Sequence, residues 1–297
     1  MSSESTMQLV DPACALCGSC ERRTLFREGT HAIVRCAKCD LTYVTPRLHG
    51  DALLQAVYDE DYWHSERPRE RGYADYVADA ALHERTFTQR WRGVERHAPQ
   101  AGRALDLGCA DGVFLSILRK QGWQVEGVEP SCMAELARKR LGAESVMQVP
   151  IESLELPEDH YDLISMWDVI EHLPDPMTSL RNARRWLRAD GVLMIETQDV
   201  RSLAARVLGR RWHHYKHAEH LHHFHAGTLQ RALNESGFEI IEKRRRHAGK
   251  HVRCSFVAER AARVSTTLSH ALKRLLPAER ALYVNLFDEL IVIARPR

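Results

Sequence analysis

The stretch Leu105-Asp106-Leu107-Gly108-Cys109-Ala110-Asp111-Gly112, followed by the apolar run Val113–Leu118, decides the fold. It opens on a short apolar run, Ala104–Leu107, of strand length, passes through small residues and enters a helical pattern. Such a turn lets a ligand approach the backbone closely at the carboxyl end of a strand. Further short apolar runs follow at Val125–Glu129, Val146–Val149, Tyr161–Met166, Val192–Glu196, Phe238–Glu242 and Leu290–Ala294, with helical stretches between the first five strands. This alternation predicts an α/β fold around a mostly parallel sheet of seven strands. The second run ends at Glu129, 21 residues beyond Gly108. A carboxylate there can accept from both hydroxyls of a ribose.

The amino-terminal part carries a different chemistry. Five of the eight cysteines lie in the first 39 residues. Cys14-x2-Cys17 and Cys36-x2-Cys39, with 18 residues between, have the spacing of a four-thiolate zinc ribbon. Each pair turns two sulfurs to one point, and Gly18 can take the left-handed conformation after the first. Two pairs complete a tetrahedral S4 shell suited to Zn(II), with Cys20 outside it. Four protein ligands leave no open position, so the zinc is expected to be structural.

Hydrophobic residues make up 44% of the 297-residue chain and charged residues 28%, enough for a full core. Lys+Arg 42 against Asp+Glu 40 leaves a formal charge of +2, without the strongly basic balance of a nucleic-acid-binding domain. No apolar run approaches the roughly 18 residues of a spanning helix, and Met1–Val10 does not read as a signal peptide, so a cytoplasmic address is expected. The expected organisation is a zinc ribbon at 1–45, a helical connector at 46–100 and an α/β domain at 101–297 with a helical insertion at about 249–286. The connector holds the aromatic-acidic stretch Tyr58–Trp63 and a helical pattern from Tyr73 to His97, closed by Pro99 and Gly102. The insertion holds an amphipathic stretch, Ala261–Leu276, read as a packed helix, with a membrane-surface or partner helix as the alternative.

A dinucleotide fingerprint would read G-x-G-x-x-G, whereas the loop here reads Asp106-x-Gly108-x-Ala110-x-Gly112. That loop resembles the D/E-x-G-x-G-x-G of class I S-adenosylmethionine-dependent methyltransferases. Val128-Glu129-Pro130-Ser131, Tyr161-Asp162-Leu163-Ile164, Ile170-Glu171-His172-Leu173-Pro174-Asp175-Pro176, Gly191–Ile195 and Glu219-His220-Leu221-His222-His223-Phe224 with Gly237-Phe238 resemble that family's later segments, in order. The resemblance implies a Rossmann-like, seven-stranded class I methyltransferase sheet carrying a small N-terminal zinc ribbon. It also implies S-adenosylmethionine as cofactor. Asp106 and Gly108 would hold the methionine end, with Cys109 and Gly112 in the same loop. Glu129, beside Pro130, would hold the ribose; the backbone of Ile151 and Glu152 would lie near the adenine. Trp167 and Asp168 would sit near the sulfonium. Cys36-Ala37-Lys38-Cys39 with Tyr43-Val44-Thr45-Pro46 and Tyr58–Trp63 resembles bacterial zinc-ribbon methyltransferases, some of them sugar C-methyltransferases.

For the acceptor the sequence offers two segments. Trp167-Asp168-Val169-Ile170 lacks the D/N-P-P-Y/F of base N-methylases. Asp168, Glu171 and His172, at i, i+3 and i+4, read as three ligand-type side chains on one helix face and resemble the E-x-x-E-H of metal-dependent O-methyltransferases. Trp212–His225 holds seven histidines, read as a lid over the substrate with one or two chemical imidazoles and the rest at the surface. His220 is the expected base, with Glu219 orienting it and His172 as competitor. The Glu219-His220 pair matches the Glu-His of the sugar C-methyltransferases, while His217 stands where they carry tyrosine. The expected acceptor is a small molecule or glycan, methylated on oxygen. The alternatives are an RNA methyltransferase, supported by Lys243-Arg244-Arg245-Arg246 with Lys250 and Arg253, and an NAD(P)-dependent oxidoreductase.

Overall fold

The computed structural model describes residues 9–48, 53, 63, 76–262 and 264–297. The chain first forms three antiparallel strands, β1 (Arg22–Glu28), β2 (His31–Cys36) and β3 (Thr42–Thr45). Helix α1 (Ala80–Val94) follows and tightens into a 3-10 turn at Glu95–His97. It is shorter than the expected 73–97; of the aromatic-acidic stretch only Trp63 lies among the described residues, edge-on to Tyr76 at 5.0 Å.

The α/β alternation then begins. It runs β4 (Arg103–Leu107), α2 (Val113–Lys120), β5 (Gln124–Val128), α3 (Met133–Leu141), β6 (Val146–Met147), β7 (Tyr161–Trp167), α4 (Pro176–Trp186) and β8 (Leu187–Gln198). Asp175 caps α4 by accepting from the Thr178 N–H, and Pro176 stands in its first turn, where a missing N–H costs nothing. After β8 come α5 (Leu203–Leu208), β9 (His222–His223), α6 (Ala226–Glu235) and β10 (Phe238–Arg244). The expected helical insertion is two helices, α7 (Cys254–Ala261) and α8 (Thr266–Leu275), closed at the base by the paired strands β11 (Lys250–Arg253) and β12 (Ala281–Val284). Strand β13 (Glu289–Pro296) completes the chain.

All seven expected strands lie in one sheet, ordered β10-β13-β8-β7-β4-β5-β6. β4 to β8 are parallel within it, while β13 runs antiparallel between β8 and β10. Central strands are buried on both faces, as in a parallel sheet covered by helices, and residue parity separates the two cores. Leu105, Leu107, Ile164, Met166, Leu193 and Ile195 face one cluster with Trp186 of α4. Ala104, Leu163, Val192, Met194, Ile291 and Ile293 face the other with Phe114 and Trp91. The first cluster also takes in Cys14, Leu41 and Tyr43, so the amino-terminal strands pack on the same layer. They also share a sheet with the carboxyl half. The order is β1-β2-β3-β9, with Thr42 opposite His223 and Tyr43 opposite His222.

Candidate active site

The carboxyl ends of β4, β5 and β7 open into a cavity of about 1230 Å³. Ligands of open α/β sheets bind at this edge. Gly108 leaves β4 with φ 74°, and a Cβ there would lie 2.6 Å from Val169 Cγ2, so the turn needs glycine twice over. Glu129, at the end of β5, is 5% exposed; Oε2 accepts from the Ala110 N–H at 3.0 Å and Oε1 from the Ser131 N–H at 2.9 Å. The Ser131 side chain bonds to it as well, and of the roughly four lone-pair sites of a carboxylate this leaves capacity for a ligand hydroxyl. Asp106 is buried, accepts from Ser165 Oγ at 2.6 Å, and has its carboxyl pushed up to about 7 by burial and then by the Glu129 charge.

Of the expected ligand-binding residues, Asp106, Gly108, Cys109, Glu129, Pro130, Ile151, Glu152, Trp167 and Asp168 all line this cavity. Gly112 is not among its lining residues. It caps α2 at φ 75°, where a Cβ would lie 2.8 Å from Leu141 Cδ1. Trp167 packs edge-on to Phe87 and Phe114, with the Arg90 guanidinium 5.8 Å from its ring.

Asp168, Glu171 and His172 do not share a helix face, which corrects the sequence expectation. Asp168 takes a left-handed φ of 55°, and the chain turns instead of winding. Asp168 therefore points into an ion cluster, 3.0 Å from Lys250 Nζ and 3.9 Å from Arg90 Nη2. Burial alone would raise its carboxyl; Lys250 and Arg90 outweigh that and hold it below the usual range. Glu171 and His172 meet His220 instead, with ligand-type atoms mutually within 4.8 Å. The His172 and His220 rings stand edge-to-face at 4.7 Å. His220 Nδ1 lies 2.7 Å from the His214 carbonyl, which can only accept, so Nδ1 carries the proton and Nε2 the lone pair. Burial, followed by the neighbouring His172 and Lys216, holds His220 well below its ordinary value and therefore neutral. Glu219 is buried and paired with Lys216 Nζ at 3.1 Å.

The comparisons bear on the family and the fold. A family profile described as a methyltransferase domain matches residues 63–243, more than half of the chain. The chain belongs to the methyltransferase-domain family. An S-adenosylmethionine-dependent methyltransferase of Archaeoglobus fulgidus superposes with a TM-score of 0.52 at 18% identity, covering 74% of this chain and 98% of that one. A similar enzyme of Thermotoga maritima gives 0.50 at 21% identity over 75% and 94%. These likenesses concern the fold. Ubiquinone biosynthesis O-methyltransferase of Histophilus somni is 29% identical over 119 residues, 36% of this chain and 50% of that protein. That of Bradyrhizobium diazoefficiens is 27% identical over 141 residues, 45% and 54% respectively. The chain thus spans about half the length of the curated relatives it matches.

Around this methyltransferase domain, sequence reasoning missed a buried ion cluster. Arg90 of α1 is 2% exposed and lies 2.7 Å from Glu196 Oε1 at the end of β8 and 3.7 Å from Glu289 Oε2 at the start of β13. Lys250 Nζ bridges Asp168 and Glu289 Oε1, the latter at 2.7 Å. Burial raises the Glu196 carboxyl well above its ordinary range and Glu289 to about 7. The available signal was that Arg90 shares the inward stripe of α1 with Phe87, Trp91 and Val94. The histidine segment is also corrected. His214, His220, His222, His223 and His225 are buried, not at the surface. Within the basic run Lys243 donates to Gln230, Arg244 pairs with Glu242 and Arg245 with Asp199, Arg253 further on pairs with Asp79, and Lys243, Arg245 and Arg246 are exposed.

The raised Asp106 carboxyl yields a pH prediction. Its folded value of about 7 lies above the ordinary 3.8, so ionising it in place destabilises the fold. That cost is absent below about pH 4, grows as pH rises and is complete above about 7. Asp106→Asn keeps the acceptor for Ser165 without the charge. Its Tm relative to the parent protein should be most favourable at pH 8 and fall back toward pH 4, measured by calorimetry across that range.

Proposed function

We propose that the protein is an S-adenosylmethionine-dependent O-methyltransferase acting on a small molecule or glycan, with a structural zinc at Cys14, Cys17, Cys36 and Cys39. The observation that carries this reading is one cavity holding both the Gly108 turn with Glu129 and the lone-pair nitrogen of His220. The donor set suits the cofactor: a carboxylate at the end of β5 for the ribose, Asp106 for the charged methionine end and a left-handed glycine turn between them. Bound there, the cofactor supplies an already activated methyl group. Glu129 and Asp106 position it. His220 Nε2 takes the proton from the acceptor hydroxyl, while the His214 carbonyl fixes the tautomer and the buried walls exclude water. Glu219 and His172 flank the base and carry its local electrostatics. The naming of the curated relatives as O-methyltransferases supports oxygen as the methylated atom.

The four sulfurs support the zinc. Cys14 and Cys39 Sγ lie 3.3 Å apart and Cys17 and Cys36 Sγ 3.5 Å, near the edge lengths of a thiolate tetrahedron. None of the eight cysteines is joined in a disulfide, which suits a reducing, cytoplasmic location. Among the described residues no helix is long and apolar enough to cross a membrane. The expected division at 45 and 100 is retained as a proposal, with β9 joining the ribbon to the larger domain.

Two variants test the activity. Glu129→Ala should weaken S-adenosylmethionine binding at least about tenfold, from the loss of charge-assisted hydrogen bonds at roughly 1.5–3 kcal/mol each. His220→Ala should leave that affinity unchanged and lower turnover by about 10²–10⁴-fold. Calorimetry and single-turnover assays read the two separately; unchanged affinity in Glu129→Ala would overturn the cofactor site. Chelating the zinc should leave cofactor affinity near normal and lower turnover by up to about 10²-fold, because β9 begins two residues after His220. Elemental analysis alongside turnover checks this, and zinc-free protein with full activity would separate ribbon from catalysis.

A further inference from the structure

A second histidine-carboxylate group lies on the same cavity wall, with the His214 ring 5.9 Å from that of His220. His214 is buried, and its Nε2 has no hydrogen-bond partner. That nitrogen faces Asp288 Oδ2 at 3.7 Å and Glu289 Oε1 at 3.6 Å, and His213 Nδ1 lies 3.9 Å from the same Asp288 oxygen. These separations exceed the 2.7–3.2 Å of N–H···O bonds. They approach the spacing of ligands gathered around one cation. Nitrogen and oxygen donors at about 2.0–2.2 Å from zinc stand roughly 3.4 Å apart in a tetrahedron. One ligand atom from each of His213, His214 and Asp288 lies within 4.8 Å of the others. Trp212 Nε1 donates to Asp288 Oδ2 at 2.8 Å and fixes that carboxylate, as outer-shell partners do at metal sites.

We propose that His213, His214 and Asp288 bind a divalent cation of borderline softness, such as Zn(II) or Co(II). Two imidazoles and one carboxylate suit such an ion and leave coordination positions vacant. All three residues line the cavity, so the vacant positions face a molecule bound in it and suit an anionic oxygen. Metal uptake is read without methyl transfer, so this site and the proposed activity stand or fall separately.

The experiment titrates full-length, zinc-replete protein with Co(II), reading heat and visible absorption. The expected result is one equivalent bound, with a nitrogen–oxygen ligand-field spectrum and no thiolate charge-transfer band. His214→Ala and Asp288→Asn should weaken uptake by more than the roughly 10–100-fold that loss of an outer-shell partner costs. His213→Asn, whose side chain is 25% exposed, should do the same without burdening the fold. The proposal is overturned if the parent protein takes up no Co(II) in this form, if the three variants bind it unchanged, or if uptake is lost in His172→Ala and kept in them.

Discussion

The backbone pairing of Thr42 and Tyr43 with His223 and His222 holds the two halves of this structure in register. The Val44 N–H extends it by donating to the Leu221 carbonyl. On its other side the segment is tied to the turn after β7, where the Glu171 carbonyl accepts from both Leu221 and His222. A strand of two residues has little stability of its own. It persists because it is clamped between a sheet and a turn and because His222 and His223 are almost wholly buried. Burial obliges each imidazole to find a partner. Arg47 Nη1 donates to His222 Nε2 at 3.1 Å, and Gln198 Nε2 to His223 Nδ1 at 3.2 Å. The position of His220 is inherited from this clamp.

The ion cluster adds a second tie with a different logic. Arg90 from α1, Lys250 from the insertion, and carboxylates from the ends of β7, β8 and β13 meet in one place. Burying so many charges is costly, and removing one member leaves its partners uncompensated. The arrangement therefore specifies geometry more than it adds stability. It fixes α1 and the base of the helical insertion against the edge of the sheet where the cavity opens.

The sheet was legible because its signals are local. Short apolar runs with small-residue turns identify β4, β5, β7 and β8 without reference to any distant residue, and the four cysteines announce themselves by spacing. β11 and β12 were not legible: four residues each, they pair across a gap filled by two helices. The left-handed Asp168 was not legible either, because i, i+3, i+4 spacing looks the same whether the chain winds or turns. The histidine segment misled for a related reason. Imidazole is polar enough to suggest solvent, and only the contacts of β9 with β3 reveal that these rings are core residues. Arg90 carried a faint local signal in its apolar neighbours, but its carboxylate partners come from three separate strands.

The shared sheet has a consequence for how the chain is made. Arg47 and its partner His222 are 175 residues apart, so the outer edge of β3 has no partner until the nascent chain has reached residue 222. Domains tend to fold in the order they are synthesised, yet this amino-terminal segment is finished by one that emerges only after β8 and α5. Through most of translation it presents an unpaired strand edge, the kind of surface that recruits other chains. Its early neighbours therefore have to keep that edge occupied or shielded until His222 and His223 arrive. Closing the ribbon is in this sense a late event of biogenesis.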